Sequence, residues 1–320
     1  MTTSPFAALC PGQLSEKAGM GEAFASRFDF VATWFEEVSR RSGVDLAVTF
    51  FGSGAPELRD DLPAQVGVFA VSIAALDVLE RIHGLVPDAV AGYSLGTYAA
   101  FVAAGSLDRG AALDVLLAAQ RLLEEDRRAS ATRPGGMGFV IGLPKAAVEA
   151  GIGGEDVSIG NENAAQQFVL TGERDAVAAA IERLRPKALK AEMLPIRLAM
   201  HGGRLGDMTR RLRILQEGKI SVRMPKCHLY APMLGRRVSS LEELSSVLFG
   251  QLSHPSLWSS TLAAMGADGF SVFAETGPGD VLTRLLRWTL RGASGFVVEE
   301  PAGAEAFARA MMTSEVAPHG

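Results

Sequence analysis

Short apolar runs alternate along the chain with longer stretches in which apolar residues return every three to four positions. The short runs predict strands at Phe6–Cys10, Leu46–Phe51, Ala89–Gly92, Met137–Ile141, Phe168–Thr171, Leu194–Leu198, His228–Tyr230, Val272–Ala274 and Phe296–Val298. The periodic stretches predict helices over Ala64–His83, Leu95–Ala104, Arg109–Arg128, Asp175–Leu184, Gly206–Glu217 and Val281–Leu290. Strands alternating with helices imply an α/β fold, with a mostly parallel sheet covered on both faces. From about Gly135 to Lys190 the pattern changes to strand, helix, strand, strand, helix, opened by Gly135-Gly136. That order predicts a small inserted α+β subdomain. The tail beyond Pro301 is alanine-rich and is expected to fray.

Composition narrows the class without changing this picture. The 320 residues suffice for one large α/β domain or two domains, and 48% hydrophobic with 21% charged residues is ordinary for a globular enzyme. A formal net charge of -5 carries no footprint of nucleic-acid binding. Cys10 and Cys227 are too few and too far apart for a disulfide framework or a metal cluster, which points to a reducing, cytoplasmic setting. The start, MTTSPFAALCPGQL, has no basic and long apolar signal pattern, and no run of eighteen uncharged apolar residues predicts a membrane span.

The segment AVAGYSLGTYAAFVAAG reads as strand, sharp turn and helix around Gly92-Tyr93-Ser94-Leu95-Gly96. A Gly-x-Ser-x-Gly turn in that context pushes the serine hydroxyl out beyond the strand end and opens a helix whose first N–H groups can meet a developing oxyanion. Ser94 is the candidate nucleophile. A serine needs a base, and five histidines are available. His319 lies in the tail, His83 beside Gly84 at a helix end, and His228 in an apolar strand. His201 follows LPIRLAM and precedes Gly202-Gly203, where α/β enzymes place catalytic side chains; His254 is the rival.

Further motifs follow in order. Pro11-Gly12-Gln13 stands near the start; Asn161, Asn163, Gln167 and Gly172 lie in the insert; then come Met200-His201, Gln251-Leu-Ser-His-Pro255 with Trp258, and Glu275-Thr-Gly-Pro-Gly279. With these motifs the chain resembles the malonyl-CoA:acyl-carrier-protein transacylases and the acyltransferases of polyketide synthesis, over nearly its whole length. The resemblance favours His201 over His254. It implies an α/β-hydrolase-like core, residues 1–132 and 194–320, with a ferredoxin-like insert over 133–193. It implies that Ser94 is acylated from a thioester and His201 is its base. The main-chain N–H groups of Gln13 and Leu95 form the oxyanion hole, and the Gln251 carbonyl orients His201. A phosphopantetheine thioester, on CoA or on an acyl carrier protein, is the implied substrate, with no bound cofactor or metal.

The chain departs from the family at informative places. Family members carry His and Glu where this chain has Tyr93 and Thr97, and Gln-Gly where it has Gln13-Leu14. Malonyl-type enzymes use an arginine on the helix after the nucleophile, whose guanidinium forks onto the free carboxylate. Counting from Ser94 lands on Ala119, or on Gln120 with one insertion. Arg121 is turned through about 200° from Ala119, away from the site. Ala119, Gln120, Met200 and Tyr93 are therefore the expected pocket residues, and an uncharged acyl group the expected cargo. Carrier proteins are acidic, and Arg284, Arg287 and Arg291 form one helical stripe that suits docking. Arg204, Arg210, Arg211 and Arg213 form a rival patch. The same Ser–His machinery would also serve a hydrolase that clears acyl groups from carrier proteins.

Overall fold

The first apolar run, Ala7–Cys10, is buried along its whole length, as an interior strand of a covered sheet must be. In the computed structural model, which describes residues 4–52, 61–154 and 156–313, it forms β1. There follow α1 (Glu22–Arg27), α2 (Asp29–Ser42), α3 (Leu46–Phe50), α4 (Asp61–His83), β2 (Ala89–Gly92), α5 (Gly96–Ala103) and α6 (Arg109–Ala129). The central segment holds β3 (Gly135–Ile141), α7 (Lys145–Ile152), β4 (Val157–Ala164), β5 (Gln167–Glu173), α8 (Arg174–Leu184) and β6 (Lys190–Met193). The remaining elements are α9 (Gly206–Gln216), β7 (His228–Ala231), β8 (Arg236–Arg237), α10 (Leu241–Gly250), α11 (Trp258–Ala267), β9 (Val272–Thr276), α12 (Val281–Thr289), β10 (Ser294–Val298) and α13 (Pro301–Thr313).

One sheet has the order β10-β9-β1-β2-β7-β8. Its strands run parallel except for β8, which pairs antiparallel with β7 at the edge. The other sheet, β4-β5-β3-β6, is antiparallel throughout. The alternating pattern thus yields a mixed α/β fold with a parallel-strand sheet. The central segment shows the expected element order, closed by β6, around its own core of Val140, Phe168, Leu170 and Ile181. Helix α4 is long and apolar enough to cross a membrane, yet 83% of its apolar window is buried inside the fold. A helix apolar on all sides and covered by its neighbours is a core helix.

Three expectations are corrected. Leu46–Phe50 is a helix, not a strand, because the Asp45 side chain accepts the Val48 N–H at 3.0 Å and caps a turn. The strand expected at Leu194–Leu198 lies just before it, at Lys190–Met193, paired with β3. Pro195 has no N–H to give to a ladder. The alanine-rich tail does not fray through Thr313. Pro301 opens α13, and Ala304, Phe307, Ala308 and Met311 recur at helical spacing and are buried. His319 lies outside the described residues.

Glu275, at the C-terminal end of β9, fixes the start of α12. Its carboxylate accepts the N–H groups of Leu282 at 3.0 Å and Thr283 at 2.7 Å, which are otherwise orphaned in the first turn. Burial pushes the carboxyl up to about 7 from an ordinary 4.5, while the two N–H donors pull the other way. The group is therefore protonated in the folded chain where it is ionised in the unfolded one. The unfolded state releases its proton first as pH rises, so stability falls between about pH 4.5 and about pH 7, by roughly 3 kcal/mol at most. Melting curves on either side of this window should show that fall in the native protein and a shallower one in Glu275→Gln, with other titrating groups cancelling in the comparison.

Candidate active site

Strand β2 ends at Gly92, and α5 begins four residues later at Gly96. A Cβ on Gly92 would stand 2.2 Å from the Gly96 carbonyl, and one on Gly96 would stand 2.1 Å from the Cys10 carbonyl oxygen. Neither position admits a side chain, so the two glycines let the turn close onto the end of β1. Ser94 is held between them at φ 54°. That left-handed conformation costs a non-glycine residue roughly 1–2 kcal/mol and lifts the side chain off the strand.

His201 meets this serine from the far side of the cleft. Its Nε2 lies 2.7 Å from Ser94 Oγ. Its Nδ1 faces the carbonyl oxygens of Gln251 at 3.0 Å and His254 at 3.3 Å. Carbonyls only accept, so Nδ1 carries the proton and Nε2 is left to accept from the serine hydroxyl. The main-chain N–H of His201 donates to the Leu252 carbonyl at 2.6 Å, so ring and backbone are pinned to one short segment. Burial pulls the imidazole pKa below its ordinary value, against the two carbonyls that favour its charged form.

The ends of β1 and β2 lie side by side, with Cys10 paired to Gly92. A Cβ on Gly12 would stand 2.7 Å from the Tyr93 carbonyl oxygen and 3.6 Å from Ser94 Cβ. The Pro11-Gly12 turn therefore rests on the nucleophile turn, and Gln13 follows directly. Among the described residues, neither the Gln13 nor the Leu95 main-chain N–H donates to a protein acceptor. Unsatisfied N–H groups flanking a nucleophile are what an oxyanion hole requires. The Gln13 side chain is turned away, donating to Asp61 at 2.5 Å and accepting from Gln65 at 3.1 Å. Leu14, where the family has glycine, is 42% exposed at φ 73°.

A small cavity opens over Ser94 and His201, walled by Thr97, Pro232, Met233, Val247, Gln251 and Ser256. The structure brings Ser94, His201 and Gln251 together as the sequence predicts. It does not bring the expected pocket residues to this wall. Ala119, Gln120 and Met200 are buried in the protein interior, the first two on the inner side of α6. Tyr93 serves as a tie instead. Its hydroxyl donates to Asn163 at 2.8 Å and accepts from Asn161 at 3.0 Å, both on β4, and its ring meets Trp258 edge-on at 5.3 Å. Burial pushes its phenol up to about 12. Arg121 is exposed, as the helical rotation requires. Sequence reasoning missed Thr97, Met233, Val247 and Ser256. Ser256 carried a local signal, since it sits inside the motif that runs from Gln251 to Trp258, and so did Thr97, noted as a departure after the nucleophile turn but not as a wall residue.

Of the basic clusters, Arg210 pairs with Asp207, Arg211 with Glu125, Arg204 donates to the Arg133 carbonyl, and Arg213 lies over the Phe249 ring. On α12, Arg284 pairs with Asp280, while Arg287 has no carboxylate partner among the described residues. The expected three-arginine stripe is cut short: α12 ends at Thr289, Leu290 is extended, and Arg291 lies in the turn beyond, likewise without a carboxylate partner among the described residues. Trp288 stands beside them, 78% exposed.

Residues 8–312 match the family model described as acyl transferase domain. The malonyl CoA-acyl carrier protein transacylase of Haemophilus influenzae is 30% identical over 288 residues, which are 88% of this chain and 91% of that protein. The polyketide biosynthesis protein ThaF of Burkholderia thailandensis is 31% identical over 309 residues, 94% of this chain and 26% of that protein. A solved complex of a type II PKS acyl-carrier protein with its malonyl-transacylase superposes at a TM-score of 0.88 and 28% identity, covering 96% of this chain and 99% of that one.

The base must be neutral to act, and burial holds the His201 pKa below 6.5. The rate of Ser94 acylation should therefore stay level as pH falls through 6.5 and decline only below it. Quenched acylation reactions resolved by intact mass, from about pH 5 to about pH 8, will give this profile; an inflection above the ordinary histidine value would contradict it.

Proposed function

The chain belongs to the acyl transferase domain family, and from that premise we propose that Ser94 carries an acyl group from a CoA thioester to the phosphopantetheine thiol of an acyl carrier protein. The observation that carries the reading is the 2.7 Å contact of Ser94 Oγ with a His201 whose other nitrogen donates to carbonyls. Ser94 Oγ attacks the thioester carbon as His201 Nε2 takes its proton. The oxyanion that forms is met by the N–H groups of Gln13 and Leu95. The carbon–sulfur bond breaks, and His201 returns the proton to the departing thiolate. The carrier thiol then gives its proton to His201, attacks the serine ester, and Ser94 Oγ leaves with that proton. The β-α-β-β-α-β order of residues 133–193 supports reading that segment as a ferredoxin-like insert in an α/β-hydrolase-like core made of 1–132 and 194–320.

The names of the relatives favour malonyl as the cargo. The residues favour an uncharged acyl group, and this is the cargo proposed. Among the described residues no guanidinium lines the cavity over Ser94, and Ala119 and Gln120 stand where the resemblance puts the carboxylate-binding arginine. A carboxylate buried there without a counter-charge would cost on the order of several kcal/mol. Intact-mass analysis with a panel of acyl-CoAs and a carrier protein separates the readings. Uncharged acyl masses should appear on the enzyme and then on the carrier, and Ser94→Ala should show neither. Efficient malonyl labelling would refute the neutral cargo and leave the transfer reading standing. Free acid released without transfer would favour a hydrolase.

Helix α12 is the proposed carrier-docking face. Arg284 and Arg287 are exposed on it with Trp288, and Arg291 is exposed in the turn just beyond it, a pairing of aromatic and arginine that dominates many interfaces. Arg287 and Arg291 have no carboxylate partner among the described residues, whereas Arg210 and Arg211 are ion-paired and Arg213 lies over Phe249. An acidic carrier complements that charge. Arg287→Glu and Trp288→Ala should each raise the KM for carrier protein about tenfold, with the rate of Ser94 acylation from CoA unchanged.

A further inference from the structure

Two residues that line the cavity over Ser94 carry buried polar side-chain atoms without a hydrogen-bond partner among the described residues. Gln251 is 4% exposed, and neither its amide nitrogen nor its amide oxygen has a hydrogen-bond partner among the described residues. Ser256 is 3% exposed, and its Oγ is equally unpartnered. Both residues line the cavity that Ser94 and His201 open into. The buried Tyr98 hydroxyl lies beside the Gln251 amide without completing a bond of ordinary geometry. The Thr97 hydroxyl, by contrast, is spent on the Gly92 carbonyl at 3.3 Å, and Pro232, Met233 and Val247 supply apolar wall.

Buried donors and acceptors left unmade are unfavourable, and native folds rarely keep them without a reason. The main chain of Gln251 already serves His201. Its side chain has only the Tyr98 hydroxyl beside it, which can meet one of its two polar ends. We propose that the Gln251 amide and the Ser256 hydroxyl recognise a neutral hydrogen-bonding substituent, a hydroxyl or an amide, on the acyl group close to the thioester carbonyl. The inference rests on the transfer reading and on its uncharged cargo.

The matching of donors to acceptors is what selects this class. An amide side chain presents one donor group and one acceptor, and a hydroxyl presents both functions. A substituent that gives and takes hydrogen bonds completes them together. A carboxylate only accepts, so it could use the Gln251 amide nitrogen and the Ser256 hydroxyl but would leave the amide oxygen unsatisfied. A cationic amine only donates, so it would leave the amide nitrogen unsatisfied, and among the described residues no carboxylate lines the wall to balance it. A plain alkyl group would leave every one of these atoms unsatisfied.

The test compares 3-hydroxybutyryl and N-acetylglycyl pantetheine thioesters, each against an alkyl thioester of the same length. Acylation of Ser94 is followed by intact mass. The polar member of each pair should show a kcat/KM about tenfold higher, the size of one well-made hydrogen bond. Ser256→Ala and Gln251→Met should each bring that ratio towards one. The ratio is the readout, since Gln251→Met keeps the main-chain carbonyl that His201 uses. Ser256→Ala removes a hydroxyl that satisfies nothing in the protein, so its Tm should not fall and lost discrimination cannot be put down to unfolding. Equal use of polar and alkyl thioesters by the native enzyme, or a ratio unmoved by both substitutions, would overturn the proposal while leaving acyl transfer intact. Failure of every thioester to acylate Ser94 would instead overturn the transfer reading, and this one with it.

Discussion

The close approach of Gly96 to the Cys10 carbonyl oxygen sets the geometry on which the site depends. A side chain at Gly96 would collide with that oxygen at 2.1 Å, so the start of α5 sits directly against the end of β1. Everything catalytic lies in the consequence. The turn before α5 has too few residues to relax, and Ser94 takes a left-handed backbone. The Pro11-Gly12 turn comes down on the same place, with Gly12 against Tyr93 and Ser94 and Gln13 directly after it. Among the described residues, the non-glycine residues with positive φ are Leu14, Ser94 and His201, all at the site. The surrounding core is extensive enough to hold them there. Strands β1 and β2 are buried throughout, α5 packs against both, and α4 packs in turn against α5 and β9.

Nucleophile and base are carried by different parts of the chain, and one short segment registers them against each other. The carbonyls of Gln251, Leu252 and His254 hold His201. Two residues later, Ser256 exchanges main-chain hydrogen bonds with Gly160 and Glu162 of β4. Trp258, next in line, packs on Tyr93, whose hydroxyl reaches back to Asn161 and Asn163 on the same strand. The segment from 251 to 258 thus touches the base, the antiparallel sheet and the residue before the nucleophile. A family histidine replaced by Tyr93 is in this light a longer strut: the phenol spans the gap to β4 and meets both asparagines at once.

The readability of the sequence followed how local each cause was. Ser94 was legible because it stands just past a strand end between two glycines, a pattern that short-range sterics impose. His201 was legible from its place before Gly202-Gly203 and from the resemblance, although the strand expected before it lies earlier, at Lys190–Met193. The insert was legible from its element order alone. Leu46–Phe50 was misread because a five-residue apolar run suits strand and helix equally, and one hydrogen bond from Asp45 decided between them. The pocket was the least legible part. Ala119 and Gln120 were placed by counting along a helix, which fixes a face of α6 but not what that face meets. The wall is built instead from Thr97, Met233, Val247 and Ser256, residues far apart in sequence that only tertiary closure assembles. Trp288 escaped notice because an exposed tryptophan reads, in sequence, like a buried one.

The absence of a carboxylate behind His201 fits the proposed chemistry. A carboxylate partner would favour the imidazolium and raise its pKa, whereas neutral carbonyls orient the ring with a weaker pull, and burial then prevails. Such a base is neutral, and ready, across the physiological range. It is also a less stabilised acceptor of the serine proton, so the reaction must demand less of it. A thioester does. Its leaving group is a thiol with a pKa near about 8.5, far below that of an alcohol or an amine, so the departing sulfur needs little proton donation. In the proposed mechanism the N–H groups of Gln13 and Leu95 then carry the larger share of transition-state stabilisation. Orientation by carbonyls would be poor design for cleaving an amide; for moving an acyl group between thiols through a serine ester it is sufficient.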